Sequence, residues 1–419
     1  MAAGRVSKVL VSGASIAGPA LAHGLARAGA DVTVVERAPE LREGGHNIDV
    51  RGAGREVLRR MGLEQQVLEH TTGEEGTRFL DERGRVLGSF PASTSQTGGP
   101  TAEVEVLRGR LSRLLVDSCA GLPGAVDWRF GEQVAEVRDG AEPGDGDDGG
   151  VDVTFASGAR ERFDVVVVAE GLRSRTRQRV FGGDRSSHVK ELGAYCAYLT
   201  VPREPGDDRY WTWQVLGRGR SAHLRPDDEG TTRGLLTFLA DVPGLDELEP
   251  QAAALVVQRL YAGTGPIGER LAAALDTEPF YFEALGQAVL PRWSRGRVVL
   301  AGDAAHCASP VSGMSTTLAL VGAHVLAGEL TRPGATLPAA LQAYERTLRL
   351  LVDAAQKLPP GTPRVGNPRT TAEIRVLGAL VGAASSRAVQ RLRLGERLIS
   401  PPADAVDLPS YPHLAEPVR

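Results

Sequence analysis

Three short runs of uninterrupted apolar residues stand out along the chain: Val9–Val11, Val165–Val168 and Val298–Leu300. Each stops at a glycine-bearing bend, as a strand buried on both faces of a parallel sheet does. Between and after them the spacing changes to that of helices. Leu21, Leu25 and Ala28 fall on one face after the first run, and Gly29 is placed to end that helix in a left-handed turn. Leu111, Leu114, Leu115 and Cys119 form a second stripe within Leu107–Cys119. Further helices are predicted over Arg55–Met61, Pro250–Ala262, Thr317–Leu330, Leu337–Lys357 and Thr371–Leu398.

Elsewhere the period is two. Asp31–Val35 and Ile48–Val50 are short extended pieces, and residues 70–106 read as strands and loops. Gln133–Val137, Val151–Phe155 and Arg160–Val168 predict a three-stranded meander. From about Ser186 to Phe282 come GAYCAYLTV, RYWTWQVL, RSAHLRP and RGLLTFLA, which predict an antiparallel sheet with one solvated face. A chain of 419 residues exceeds the size at which a single core stops growing, about 250–300 residues. The pattern predicts an α/β protein of two lobes. Residues 1–70, 101–182 and 286–335 make a Rossmann-like, discontinuous nucleotide-binding domain. Residues 71–100 and 183–285 make an inserted antiparallel-sheet domain, and 336–419 a C-terminal helical region.

Composition narrows the function little. A net charge of −4 and a pI near 6.1 give no reason to expect a nucleic-acid partner. Cys119, Cys196 and Cys307 are too scattered for a disulfide framework or a metal cluster, and the histidines contain no HxxxH pair, so no metal site is expected. Met1–Arg5 leads straight into the first strand, and no apolar run approaches ~20 residues. The expectation is a cytoplasmic protein with no stable membrane association, monomeric or homodimeric. The acidic, glycine-rich Ala141–Gly150 resembles part of a calcium loop but lacks the closing glutamate, and reads as a solvated hairpin loop, as does Ser93–Gly99. Arg387, Arg391 and Arg397 near the C-terminus read as a solvated helix face.

Chemistry concentrates at the three bends. KVLVSGASIAGPALAHGLARAGADVTVVE, Lys8–Glu36, runs strand, glycine turn, helix, strand, acid, the order of a dinucleotide-binding unit. Gly13 permits the sharp turn, Gly18 lets helix and strand approach, and the N–H groups opening the helix around Ser15, Ile16 and Ala17 face a pyrophosphate. Glu36, 18 residues past Gly18, suits an adenosine ribose. Ser15 departs from GxGxxG at its middle glycine. VVVVAEGLRSRTR, Val165–Arg177, ends in an acid–glycine turn. GRVVLAGDAAHCASPVSGMSTTLAL, Gly296–Leu320, carries Gly302-Asp303, Pro310, a Gly313 turn, and hydroxyls at Ser315–Thr317 placed to cap the next helix.

In this order and spacing the three motifs resemble those of the para-hydroxybenzoate hydroxylase family of FAD-dependent monooxygenases, in particular its two-domain, tetracycline-inactivating and polyketide-tailoring members. The resemblance reaches nearly to Lys357. It implies FAD as cofactor and NADPH or NADH as reductant, with dioxygen adding to the reduced flavin and a flavin hydroperoxide hydroxylating an aromatic or polycyclic substrate. It implies that Asp303 holds the ribitol, Arg108 reaches the flavin side, Val134 lies beside the adenine, and Glu170 stands at the family's DG aspartate. Arg37 and Asp49 belong to the same cofactor-binding set. Pro310, Gly313 and Met314, with Ser315, would line the flavin edge, where a helix start stabilises the charge of a reduced ring. The Gly44-Gly45 loop would match the family's mobile flavin segment. A helix N-terminus supplies only ~0.3–2 kcal/mol, against about 12 kcal/mol for nanomolar binding, so distant segments must grip the cofactor together.

Trp211, Trp213 and His223 are the candidate substrate contacts, with Tyr195 and Phe238 on other strands of the same lobe; His306 in GDAAH reads as structural. No residue is identifiable as a catalytic base. Baeyer–Villiger oxidation or epoxidation on the same scaffold stays open. So, less strongly, do a halogenase and a catalytically silent ligand-binding paralogue; RYWTWQVL lacks the Ile-Pro of the halogenase WxWxIP, and no lysine occurs between Lys8 and Lys190.

Overall fold

A computed structural model describes residues 6–42, 44–92, 104–139, 149–386 and 407–414. The Ser93–Gly99 loop, most of Ala141–Gly150, and Arg387, Arg391 and Arg397 lie outside the described residues.

The three apolar runs are neighbours in one six-stranded sheet. Its order is Ser294–Arg295, Val298–Leu300, Val165–Val168, Lys8–Ser12, Asp31–Glu36 and Val126–Phe130, parallel except for the two-residue edge strand. Val9–Val11 and Val165–Val168 are completely buried, which explains their lack of alternation. Gly29 takes φ +82° after the helix Ala17–Arg27, as the pattern requires. The expected strand Arg160–Val168 is broken in two at Asp164. Its carboxylate accepts from the Ser7 and Lys8 amides at 2.8 and 2.9 Å, so the chain leaves the three-stranded meander and enters the parallel sheet there. Asp164 is half-buried between the two strands, and these donors define the switch point.

The second sheet has seven strands in the order Phe280–Ala288, Val189–Pro202, Thr231–Leu239, Arg220–Pro226, Tyr210–Gly217, Gly76–Leu80 and Val86–Pro91. It is antiparallel except between Tyr210–Gly217 and Gly76–Leu80. Alternation along these strands sorts the side chains onto two faces. On one, Tyr195, Ala197, Leu199, Leu236, Phe238 and Phe282 form a core with Val257, Tyr261 and Leu271 of two helices, Pro250–Tyr261 and Pro266–Ala274. Tyr195 and Phe238 are therefore core aromatics. The opposite face, expected to meet solvent, turns to the first lobe instead. His46 stacks on Tyr198 at 4.4 Å, Asn47 Nδ2 donates to the Pro226 carbonyl at 2.9 Å, and Arg225 pairs with Glu105.

Leu337–Ala355 buries Leu341, Tyr344, Leu348 and Leu351 in the first lobe's core rather than standing apart with the last helix. Thr371–Ala384 lies on Val86–Pro91, where Gly88 faces Val381 and Ser385. Among the described residues no helix is long and apolar enough to cross a membrane.

Candidate functional site

Because their strands are adjacent, the three glycine bends open side by side at the carboxyl end of the parallel sheet, where α/β proteins place their ligands. They also touch. Gly13 has φ +114°, and a Cβ there would come within 2.3 Å of the Ala169 carbonyl oxygen in the second bend. Gly302, at φ +57°, would bring a Cβ within 2.7 Å of Ala17 in the first. The helices that start here, Ala17–Arg27 and Ser315–Leu330, have no side-chain hydrogen bond at their N-caps, Ile16 and Met314. Their first-turn amides are thus left for something else. The expected capping by hydroxyls at Ser315–Thr317 is absent because the N-cap position falls on Met314 and all three lie within the helix; Thr317 Oγ1 accepts from the Arg51 amide at 3.1 Å and donates to the Arg51 carbonyl.

Arg108 crosses to the first bend, donating from Nη1 to Ser15 Oγ and from Nη2 to the Gly44 carbonyl, both at 3.1 Å. Burial and then the Arg42 cation make this guanidinium less basic than usual, while Tyr281, Glu283 and Glu36 pull the other way. Glu36 accepts from the amides of Ala14 and Ala38 at 3.1 and 3.0 Å; Arg37 beside it is exposed. Val134 is buried, with its carbonyl bonded to Arg179 Nη1.

Glu170 accepts from Ser12 Oγ, Ser174 Oγ, the Thr176 amide and Thr176 Oγ1, at 2.6–3.1 Å. Its carboxylate ties the second bend together. At the third bend burial raises the Asp303 carboxyl, against the pull of Cys307 and Ser315. Gly313 turns at φ +64° beside Asp49, which pairs with Arg51 at 2.7 Å. Pro310 is exposed, whereas the Met314 side chain is fully buried and its amide donates to Ser312 Oγ. His306 is a core residue, packed on Trp293, 3.3 Å from the Tyr344 hydroxyl, and held neutral by burial with a pKa of about 3.

Trp213, His223, Leu235, Tyr198 and Tyr281 are paired in register, one after the next, in a rung across five strands of the second sheet. Phe79 extends it, stacked on Trp213 at 5.2 Å. Trp211 Nε1 donates to His223 Nδ1 at 3.2 Å, which leaves the proton of the neutral ring on Nε2, 3.3 Å from Thr237 Oγ1; that hydroxyl donates to Asn367. Burial, then Arg225, push the His223 pKa down to about 3. Both nitrogens are spoken for, so His223 orders the rung and offers a ligand no free atom. Arg225 lies 4.1 Å over the Trp211 ring and bonds Glu74 and Glu105.

Sequence reasoning missed His46, Arg173, Tyr198, Tyr281 and Glu283, where the second sheet meets the crevice. Arg173 donates to the Asp246 and Phe282 carbonyls. The alternation of Tyr281 and Glu283 about buried Phe282 was the available signal.

The crevice fits a dinucleotide carrying a flavin. It has a bend too close for any side chain, two helix starts without side-chain caps, an arginine reaching the first bend, and a carboxylate on the third. Among the described residues no cluster suits a metal ion. Residues 6–357 match the family model described as FAD binding domain. The chain is 39% identical to an uncharacterized protein of Mycobacterium tuberculosis strain H37Rv over 78% of its own length and 85% of that protein's. It is 33% identical to the flavin-dependent monooxygenase eupH of Phoma sp over 97% of each chain. Among solved structures it superposes on tetracycline destructase Tet(51) with a TM-score of 0.77 and 26% identity, covering 97% of this chain and 100% of that one.

Proposed function

The chain belongs to the FAD-binding-domain family of flavin-dependent monooxygenases, and from that premise we propose that it consumes NAD(P)H and dioxygen to hydroxylate an aromatic or polycyclic small molecule. The observation that carries this reading is the juxtaposition of the three bends with the polar, aromatic face of the second sheet. Likeness to a tetracycline destructase supports a fused-ring substrate.

Bound FAD supplies the electron transfer from nicotinamide and the activation of dioxygen. The chain's own part is to hold and shield. Backbone amides at Ser15–Gly18 and the Arg108 guanidinium take the pyrophosphate side, Glu36 the ribose, and Asp303 the ribitol hydroxyls. The start of Ser315–Leu330, which has no side-chain cap, would offer its positive dipole end to the ring. Glu170, with its bonds used internally, fixes the shape of the second bend. The lobe interface, closed by the His46–Tyr198 stack and the Arg225 ion pairs, keeps water from the ring.

The test is direct. Purified protein should carry a flavin absorption spectrum, and polycyclic phenols should stimulate its NADPH oxidation and gain one oxygen by mass. Flavin-loaded protein that oxidises neither NADPH nor NADH with any such phenol contradicts the proposal.

A further inference from the structure

We propose that Glu283, with the Tyr281 hydroxyl before it, accepts the proton of an ionisable ring hydroxyl on the substrate, a phenol or enol, so that the substrate lies over the cofactor as its anion. This rests on the monooxygenase reading and names both the substrate's chemistry and the group that meets it.

The two residues sit at the edge of the second sheet nearest the crevice. Tyr281 faces Tyr198 across the strand pair and Glu283 faces Cys196. Tyr281 Oη donates to Glu283 Oε2 at 3.2 Å. Tyr281 keeps 46% of its surface accessible, yet burial still raises its hydroxyl above the usual range. Both hold for a side chain in the wall of a recess. Its ring stacks on Tyr198 at 6.2 Å and Tyr198 stacks on His46 at 4.4 Å, so the carboxylate stands beside a ladder of flat rings. A planar aromatic ligand matches that wall.

The groups facing Glu283 come from both lobes. Tyr281 is on its own strand, Tyr198 and Cys196 on the next, Arg173 on the second bend, Asp303 and Cys307 on the third, Arg108 at the first, and Asp246, the partner of Arg173, on the turn Leu245–Glu247. Burial raises the carboxyl, Arg173 and the two tyrosine hydroxyls draw it back, and Asp303 raises it again. A carboxylate held above its ordinary range is a stronger base, closer to the pH at which it works. Arg173 is the cation that draws this carboxyl back, and it is itself paired with Asp246 at 2.5 Å.

The transfer balances simply. The substrate O–H bond breaks and its electron pair stays on oxygen. The proton passes to Tyr281 Oη as that hydroxyl gives its own hydrogen to Glu283 Oε2. No oxidant is consumed, and the resulting oxyanion makes the ring richer in electrons toward an electrophilic oxygen.

Alizarin, a fused-ring dihydroxy dye whose visible band reddens on ionisation, tests this with FAD-loaded protein and no reductant. Wild type should bind it as the anion at a pH where the free dye is neutral. Glu283→Gln should bind it with the neutral band and need a medium at least tenfold less acidic to redden it. Tyr281→Phe should behave likewise, while Glu283→Asp should restore part of the shift. FAD content and melting temperature, measured in parallel, identify a variant that fails to fold. A dye bound with the same ionised fraction in wild type and Glu283→Gln, or bound neutral by wild type, overturns the proton-acceptor role and leaves the monooxygenase reading standing. Failure of wild type to bind it overturns both the phenol assignment and the polycyclic substrate class.

Discussion

The two faces of the seven-stranded sheet are built from the same strands, one residue in two, and share almost no chemistry. Tyr195, Ala197, Leu199, Leu236, Phe238 and Phe282 face two helices in a closed apolar core. Cys196, Tyr198, Leu235, Thr237, His223, Arg225, Trp213, Tyr281 and Glu283 face the other lobe, paired by hydrogen bonds, ions and ring stacking. Where apolar burial secures a face, side chains can be exchanged for others of equal volume. Where buried polar groups satisfy one another, each loss strands a partner. One face is the lobe's foundation, the other its instrument, and substitutions should separate them.

The largest effect is expected on the core side. Phe238 is 1% exposed and stacked with Tyr195 and Phe282, so Phe238→Ala should cost about 3–5 kcal/mol of stability in a denaturant titration. Flavin content per folded molecule should not change. A loss of flavin out of proportion to folding would mean the two faces are coupled. Next, on the crevice side, Arg108→Ala removes charge-assisted bonds of roughly 1.5–3 kcal/mol. FAD affinity should fall about 10–100-fold with little change in melting of the apoprotein. Unchanged affinity would remove Arg108 from the site.

What could be read in the sequence was whatever local pattern dictates. The first and third bends declare themselves because Gly13, Gly18 and Gly302 are forced by close contacts, and the second by the fully apolar run Val165–Val168 that enters it. The core face is readable because alternation of apolar residues has one interpretation. The instrument face shows the alternation but not what meets it. Glu283 and Tyr281 look solvated in FYFEALG, and only the approach of the first lobe, through His46 and Arg173, shows that they border the crevice. The break at Asp164 is likewise invisible until Ser7 and Lys8 supply its donors. His223 could be listed as a contact but not denied the role, since its partners Trp211, Thr237 and Asn367 lie up to 144 residues away.

His223 gives the third test. With its folded pKa lowered to about 3 from an ordinary 6.5, the ring stays neutral in the native state while the unfolded chain takes up a proton as pH falls. Its contribution is complete above about pH 6.5 and is lost progressively from there toward pH 3, at about 1.4 kcal/mol per pH unit per proton. His223→Gln should flatten the decline in stability between pH 6 and 4 by close to that slope. His46 and His306, also lowered to about 3, should keep the remaining decline in place. An identical pH profile in the variant would show His223 to be accessible to protons in the fold.

The smallest effect is the sharpest comparison, because it deletes the same atom from each face. The Tyr195 hydroxyl donates to the Val242 carbonyl, in a residue exposed enough for water to take its place. Tyr195→Phe should therefore cost only about 0.5–1 kcal/mol and leave ligand binding untouched. The Tyr198 hydroxyl instead holds Glu283 inside the recess, and its own proton affinity is pushed up by burial and by the Cys196 and Glu283 groups around it. Tyr198→Phe should be similarly mild toward denaturant, since removing a buried hydroxyl spares its desolvation while costing one bond. Yet it should change the ionisation of a bound phenol and the NADPH oxidation that phenol stimulates, because Glu283 then has one donor fewer to hold it in the charged form. Equal stability with unequal ligand response would assign the faces their separate work. Equal responses in both would mean that what distinguishes the faces is packing alone.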